Sequence, residues 1–269
     1  MAIITISRGS YSRGKEVAEA VAERLGYECI SRDVLLEASK RFNIPEVKLI
    51  HAIHDAPTLL RRMGRDRRRY IAYIRSALTA RVRRDNVVYH GLAGHILLEG
   101  VSHVLKVRII ADIEDRVTAE VDREGISREK ARALLLKDDE ERRKWTQSLY
   151  GKDPWDCHLY DLVIHVQKLT VEDAVDFICQ AAAKPQFQAT KASQQKLDDL
   201  ALACQVKAAI VDIDRDAGVT CEYGNLLIYT PAGERMVRRL QKRAAQLQRE
   251  IEGINNLEVR AGKPPEGAV

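Results

Sequence analysis

A short apolar run that ends in a glycine loop sets the strongest limit on this chain. Residues 2–7 (Ala-Ile-Ile-Thr-Ile-Ser) are rich in β-branched side chains and read as a buried strand. Gly9-Ser10-Tyr11-Ser12-Arg13-Gly14-Lys15 follows and fits the pattern G-x-x-x-x-G-K. Lys15 to Leu25 then reads as a helix, with Val17, Ala18, Val21, Ala22 and Leu25 on one face and Gly26 as its stop. Strand, loop, helix is the context that gives the pattern meaning. Glycines let the backbone wrap an anion, and the loop N–H groups and the helix N-terminus point at it. Lys15 adds a mobile positive charge for terminal phosphates. Gly9 to Glu16 is therefore expected to hold the phosphates of a nucleotide. The residue after the lysine, ordinarily a Ser or Thr that holds Mg²⁺, is Glu16. Ser10 and Ser12 are the alternative hydroxyls, and nucleotide and water oxygens are the other source of ligands.

The rest of the first two-thirds repeats the alternation. Residues 27–31, 86–89, 104–111 and 162–166 read as strands; 113–123, 127–147 and 171–183 read as helices. Residues 33–84 are mainly helical, with breaks at Asn43-Ile44-Pro45 and Ala56-Pro57. Such an order predicts an α/β fold around a parallel sheet. Between 184 and 192, Lys184, Pro185, Gln186, Gln188, Thr190 and Lys191 read as a linker. A smaller α+β unit follows over 193–261. It has a helix over 193–211, a hairpin around Glu222-Tyr223-Gly224-Asn225, a helix opened by Thr230-Pro231, and a last strand at 256–259. The expected organisation is a domain over 1–183, a linker over 184–192, a domain over 193–261 and a disordered tail over 262–269.

Charge is concentrated rather than spread. The net charge is only +5. Yet Arg61, Arg62, Arg65, Arg67, Arg68, Arg69, Arg75, Arg81, Arg83 and Arg84 crowd one segment, a field that attracts phosphate or simply meets solvent. Arg235, Arg238, Arg239, Lys242, Arg243 and Arg249 give the last helix a basic side, which either meets an anionic surface or is solvated. Aromatic residues make up 5% of the chain, which argues against single-strand stacking platforms and leaves no strong nucleic-acid signal. The five cysteines contain no C-x-x-C pair, so reduced thiols and a cytoplasmic location are expected. The apolar opening is too short for a leader or a membrane span. His51 and His54 lack a third ligand of suitable spacing, so no metal site is predicted among side chains. Trp145 and Trp155 read as packing anchors. Asp115-Arg116, Arg123-Glu124 and Asp139-Glu140-Glu141-Arg142-Arg143 form an arginine-rich helical pair. Alone it reads as a salt-bridged surface; beside a phosphate loop it reads as a lid.

At this point the chain resembles the cytidylate kinase-like family over about residues 1–180. The matching stretches are Ile4 to Arg8, the loop through Glu16, Ala18 to Gly26, Ser31-Arg32-Asp33-Val34-Leu35, Asp115-Arg116, Asp139-x-x-Arg142, Tyr150-Gly151, Trp155-Asp156 and Tyr160 to Ile164. The resemblance implies a three-layer P-loop kinase fold with a five-stranded parallel sheet and a helical lid. It implies transfer of the ATP γ-phosphate, with Mg²⁺, to a nucleoside monophosphate, CMP or dCMP. By position, Gly9, Ser10, Tyr11, Ser12, Arg13, Gly14, Lys15 and Glu16 cradle ATP, and Lys15, Arg116 and Arg142 are catalytic. Asp33, Arg62, His90, Gly91, Arg123 and Asp139 fall to the substrate and lid side. Many members carry Gly-Arg-Gly after the third strand, where this chain has His90-Gly91-Leu92-Ala93-Gly94. That departure keeps open a second function, a nucleotide-binding sensory module without transfer. Residues 193–260 are similar to a BON domain, which implies lipid or ligand binding and regulation of a partner domain.

Overall fold

The computed structural model describes residues 2–9, 12–31, 33–46, 48–49, 60–91 and 93–269, and only the backbone of 60–67 and 149. The described residues fall into two compact units. The first holds β1 (Ile3–Arg8), α1 (Gly14–Leu25), β2 (Glu28–Ile30), β3 (Val87–His90), α4 (Gly94–Leu97), β4 (Val104–Ile110), α5 (Ile113–Glu124), α6 (Arg128–Tyr150), β5 (Leu162–His165) and α7 (Val171–Ala182). The second holds α2 (Asp33–Phe42) beyond its first residue, α3 (Leu60–Val82) beyond Arg61, and then α8 (Lys191–Ile210), β6 (Gly218–Glu222), β7 (Asn225–Thr230), α9 (Glu234–Glu250) and β8 (Asn256–Ala261).

In the first unit five parallel strands run in the order β2-β3-β1-β4-β5. The sheet is that expected of a P-loop kinase fold. Strand β1 is central, with Ile6 opposite His90 on one side and Val107 on the other. Ile4, Ile6, Val107 and Ile109 bury one face against Val17 and Val21 of α1 and Val175 and Ile178 of α7. Each such aliphatic side chain contributes roughly 1.5–3 kcal/mol on full burial. Because the strands are parallel, the segments after β1, β3 and β4 emerge along one edge, where α/β sheets bind ligands.

Helices α2 and α3, expected with the first domain, group with the second unit. The reason is electrostatic and aromatic. Arg69 meets Asp212 at 3.0 Å, Arg83 meets Asp198 at 2.7 Å and Arg68 pairs with Asp216. Phe42 stacks on Tyr73 with centroids 4.1 Å apart. In this unit α8 and α9 pack Leu202, Val206, Leu240 and Leu247 on a three-stranded sheet ordered β6-β7-β8. The hairpin turn is Tyr223-Gly224, both at positive φ (50° and 73°), as a two-residue hairpin loop requires. Asp199 in mid-α8 accepts from both turn amides at 2.9 Å.

Two local expectations fail. Thr230 does not cap α9, which starts at Glu234 behind Gly233; its hydroxyl donates instead to buried Asp214. Residues 262–269 were expected to be disordered, but Val269 exchanges two backbone hydrogen bonds with Val219 at 2.9 and 3.0 Å.

Candidate phosphate-binding site

The loop after β1 is shaped by a close approach between strand and helix. A Cβ added to Gly14 would sit 2.7 Å from Cβ of Arg8, so only glycine lets α1 start this near the strand. A Cβ at Gly9 would lie 3.5 Å from Cζ of Arg116, ordinary van der Waals contact, so the guanidinium stands beside the loop. Arg13 takes the left-handed conformation (φ 61°) as N-cap of α1, and no side chain caps the helix. The first-turn amides are thus left for an anion, which the helix terminus favours. Ser10 and Tyr11 lie outside the described residues.

The loop side chains are engaged differently from a standard phosphate loop. Ser12 is 1% exposed, and its hydroxyl donates to the carbonyls of Gly9 (3.0 Å) and Ile109 (3.3 Å). It ties the loop to β4. Glu16 accepts from Arg13 through both oxygens at 2.9 Å, on an exposed surface. Lys15 is 65% exposed, with Nζ 3.6 Å from Glu19. A pair that open holds the lysine weakly, so Lys15 is free to move to a phosphate.

Arg116 projects from the first turn of α5, where Asp112 is the N-cap residue. It is 8% exposed and donates to both oxygens of Asp139 on α6, at 2.7 and 3.0 Å. This fork fixes the guanidinium plane. Asp139, expected on the substrate side, is therefore the positioning partner of Arg116. Arg142, one turn further on α6, reaches the carbonyl of Arg8 at 3.5 Å and Asp138 at 3.2 Å. Its Nε is buried without a hydrogen-bond acceptor among the described residues. Arg123 is not brought to this group. It lies about 10 Å further along α5, 53% exposed, against Glu120 and Glu124 of its own helix.

His90 and Gly91 end β3 beside the loop. His90 is 6% exposed, and its Nδ1 has no hydrogen-bond partner among the described residues. Burial and then the Arg8 charge lower its pKa to about 4, against the opposing pull of Glu19 and Asp33, so the ring is neutral. A neutral imidazole does not replace an arginine as a phosphate clamp, but it offers one donor and one acceptor. Asp33 opens α2 and accepts from the Ser31 amide at 3.5 Å. Gly91 and Gly94 are required by Tyr89, whose ring would lie 2.6 and 2.5 Å from an added Cβ. The side chain of Arg62, and His51 and His54, lie outside the described residues. On α3 and just after it, Arg68, Arg69, Arg81 and Arg83 are paired with carboxylates of their own unit.

Two groupings of side chains were not foreseen from the sequence. Tyr160 donates to the carbonyl of Pro154 at 2.9 Å and contacts Ser7 and His95 at 3.3 Å, and Arg108 lies over its ring. His95 is 5% exposed, and burial with the Arg108 charge lowers its pKa to about 3. At the ends of β4 and β5, Asp112 meets His165 at 3.2 Å and accepts from Gln167. Neither set has a local sequence signature. Of the tryptophans, Trp145 is buried as expected, whereas Trp155 is 49% exposed under the Arg143 guanidinium.

Sheet order, loop and flanking arginines together define a protein of the P-loop kinase class. The model of the cytidylate kinase-like family matches residues 3–168, and the chain belongs to that family. Among curated relatives, a cytidylate kinase of Methanopyrus kandleri is 36% identical over 108 residues, 38% of this chain and 55% of that protein. The chain thus matches about half the length of that relative. A cytidylate kinase of Sulfolobus acidocaldarius is 26% identical over 65% of this chain and 91% of its own. An uncharacterized protein from Eubacterium ventriosum superposes with a TM-score of 0.52 at 19% identity, over 68% of this chain and 98% of its own, a likeness of fold. Among the described residues no helix is long and apolar enough to cross a membrane.

Proposed function

We propose that the chain is a nucleoside monophosphate kinase that moves the γ-phosphoryl group of ATP to CMP or dCMP. The observation that carries this is Arg116, buried beside Gly9 and held through both terminal nitrogens by Asp139. A cation fixed before substrate arrives stabilises the transferring charge without reorganisation. Arg142, with a buried Nε–H still lacking an acceptor among the described residues, adds a second donor from the same helix as Asp139. Lys15 leaves Glu19 for the terminal phosphates. Helices α5 and α6 act as the lid that excludes water. When bound with the nucleotide, Mg²⁺ would supply charge neutralisation on its phosphates. Ser12, 1% exposed and turned to the Gly9 and Ile109 carbonyls, does not suit it; among the described residues Glu16 is held only by its exposed pair with Arg13. His90 and Asp33 face the acceptor, and the relatives named cytidylate kinase support that acceptor class. A coupled assay with CMP, dCMP, UMP and AMP tests the reading. Turnover of none of them by a chain that binds ATP would sink it.

One observation favours a second reading. The neutral His90 stands in the segment where many members place an arginine, so the acceptor phosphate has a weaker clamp. A sensory module then binds nucleotide without transfer and passes occupancy to the second unit, whose helix–hairpin–helix–strand order supports a BON-like reading. Calorimetric binding with no turnover distinguishes it. Either reading places the protein in the cytoplasm.

A further inference from the structure

The second unit carries two strongly basic helices. On α3 and just after it, the described side chains of Arg68, Arg69, Arg81 and Arg83 each meet a carboxylate. On α9, the stretch between Glu234 and Glu250 holds six cations and no acid. Arg238 and Arg243 pair with those two terminal glutamates, at 3.3 and 3.1 Å. Arg235, Arg239, Lys242 and Arg249 are exposed and have no ion-pair partner among the described residues.

The spacing aligns these four. Steps of four, three and seven residues keep them within roughly 80° of arc, along about 21 Å of helix axis. Leu240, Ala244 and Leu247 bury the other side in the core. The arrangement works against the helix, because Arg235/Arg239, Arg238/Lys242 and Arg239/Arg243 are like charges at i,i+4. Elsewhere the chain uses the favourable arrangement: on α6, Lys137–Glu141, Arg142–Asp138 and Lys144–Glu140 are opposite charges at that spacing. A solvated face gains nothing from the α9 pattern, whereas a row of phosphates does.

A helix that docks on a bilayer presents apolar side chains to the headgroup boundary. The apolar side of α9 is buried in its own unit, so the stripe acts by charge alone. Three of the four residues are arginine, whose fork matches phosphate oxygens. A straight row of cations about 21 Å long on a convex rod matches one phosphate backbone of duplex DNA, a line of charges about 3.4 Å apart along the strand. We propose that α9 docks along double-stranded DNA, without sequence preference, through Arg235, Arg239, Lys242 and Arg249. This does not rest on the kinase reading.

The test is fluorescence anisotropy of the full chain with a labelled DNA duplex over a range of KCl. Four phosphate contacts give a log K against log salt slope of about −4, and Arg235→Gln/Arg239→Gln lowers it to about −2 while weakening binding at every salt. The variant keeps or raises the melting temperature, since it removes a like-charge pair. Absence of duplex binding at low salt, or an unchanged slope in the variant, overturns the proposal. So does equal or tighter binding to phosphatidylglycerol vesicles lost in the same variant, which would assign the stripe to a bilayer.

Discussion

His90 and His95 make the first unit acid-labile by an amount that can be worked out. Both are nearly buried, and burial lowers their pKa values to about 4 and about 3, with Arg8 adding to the effect at His90 and Arg108 at His95. In the unfolded chain each titrates near about 6.5. The folded value lies below the unfolded one, so the stabilisation is complete above pH 6.5 and is lost as pH falls towards 4. At pH 5 the unfolded imidazole is charged and the folded one is not. The penalty is then about 1.5 pH units at about 1.4 kcal/mol per unit, or about 2 kcal/mol for each histidine. It depends on the unfolded value and the pH, and hardly on the folded value. Between pH 8 and pH 5 the pair removes about 4 kcal/mol. Carboxylates held low by hydrogen bonds, such as Asp153, act below this window. His103, buried beside Asp85, shifts the same way and cancels when variants are compared. Urea titrations at pH 8, 7, 6 and 5, followed by the fluorescence of Trp145 and Trp155 in this unit, give the slope. His90→Gln and His95→Gln should each flatten it by about 2 kcal/mol. Variants whose pH dependence matches that of the parent would refute the reasoning.

Three further outcomes follow from the geometry. Arg116→Gln should lower kcat by about 10²–10³-fold with little change in ATP binding, because the cation acts on developing charge; Asp139→Asn should follow in the same direction to a smaller extent, and a selective rise in KM would contradict both. Arg13→Gly relieves a left-handed non-glycine residue worth about 1–2 kcal/mol and gives up an exposed ion pair worth at most about 1 kcal/mol. Glycine also adds about 0.4–1 kcal/mol of unfolded-chain entropy, so the variant should stay within about 1 kcal/mol of the parent in a thermal melt. Asp199→Ala leaves the Tyr223 and Gly224 amides without their acceptor and should cost about 3 kcal/mol in the second unit, seen as faster amide exchange across the β6–β7 turn.

What the sequence shows of this site depends on whether the reason for a residue is local. Gly14 is legible because its cause, the Arg8 side chain, stands six residues away across the loop. The Tyr223-Gly224 turn is legible for the same reason, yet Asp199, which holds its amides, lies 24 and 25 residues earlier in a helix and leaves no trace. Arg116 and Arg123 look alike in sequence, seven residues apart on α5. Arg123 is neutralised by glutamates one and three residues away, a pairing readable by eye, whereas the Asp139 that fixes Arg116 comes from another helix. In the arginine field at 61–84, which the sequence leaves open between a phosphate site and a solvated face, Arg68, Arg69 and Arg83 are met by Asp216, Asp212 and Asp198 from more than a hundred residues downstream. Thr230-Pro231 is a sound cap pattern defeated when Asp214 takes the hydroxyl. The availability of a charged or polar side chain is thus a tertiary property, and sequence predicts it only where the missing partner would itself have been local. That condition holds for the middle of α9, where no acid stands three or four residues from Arg239 or Lys242.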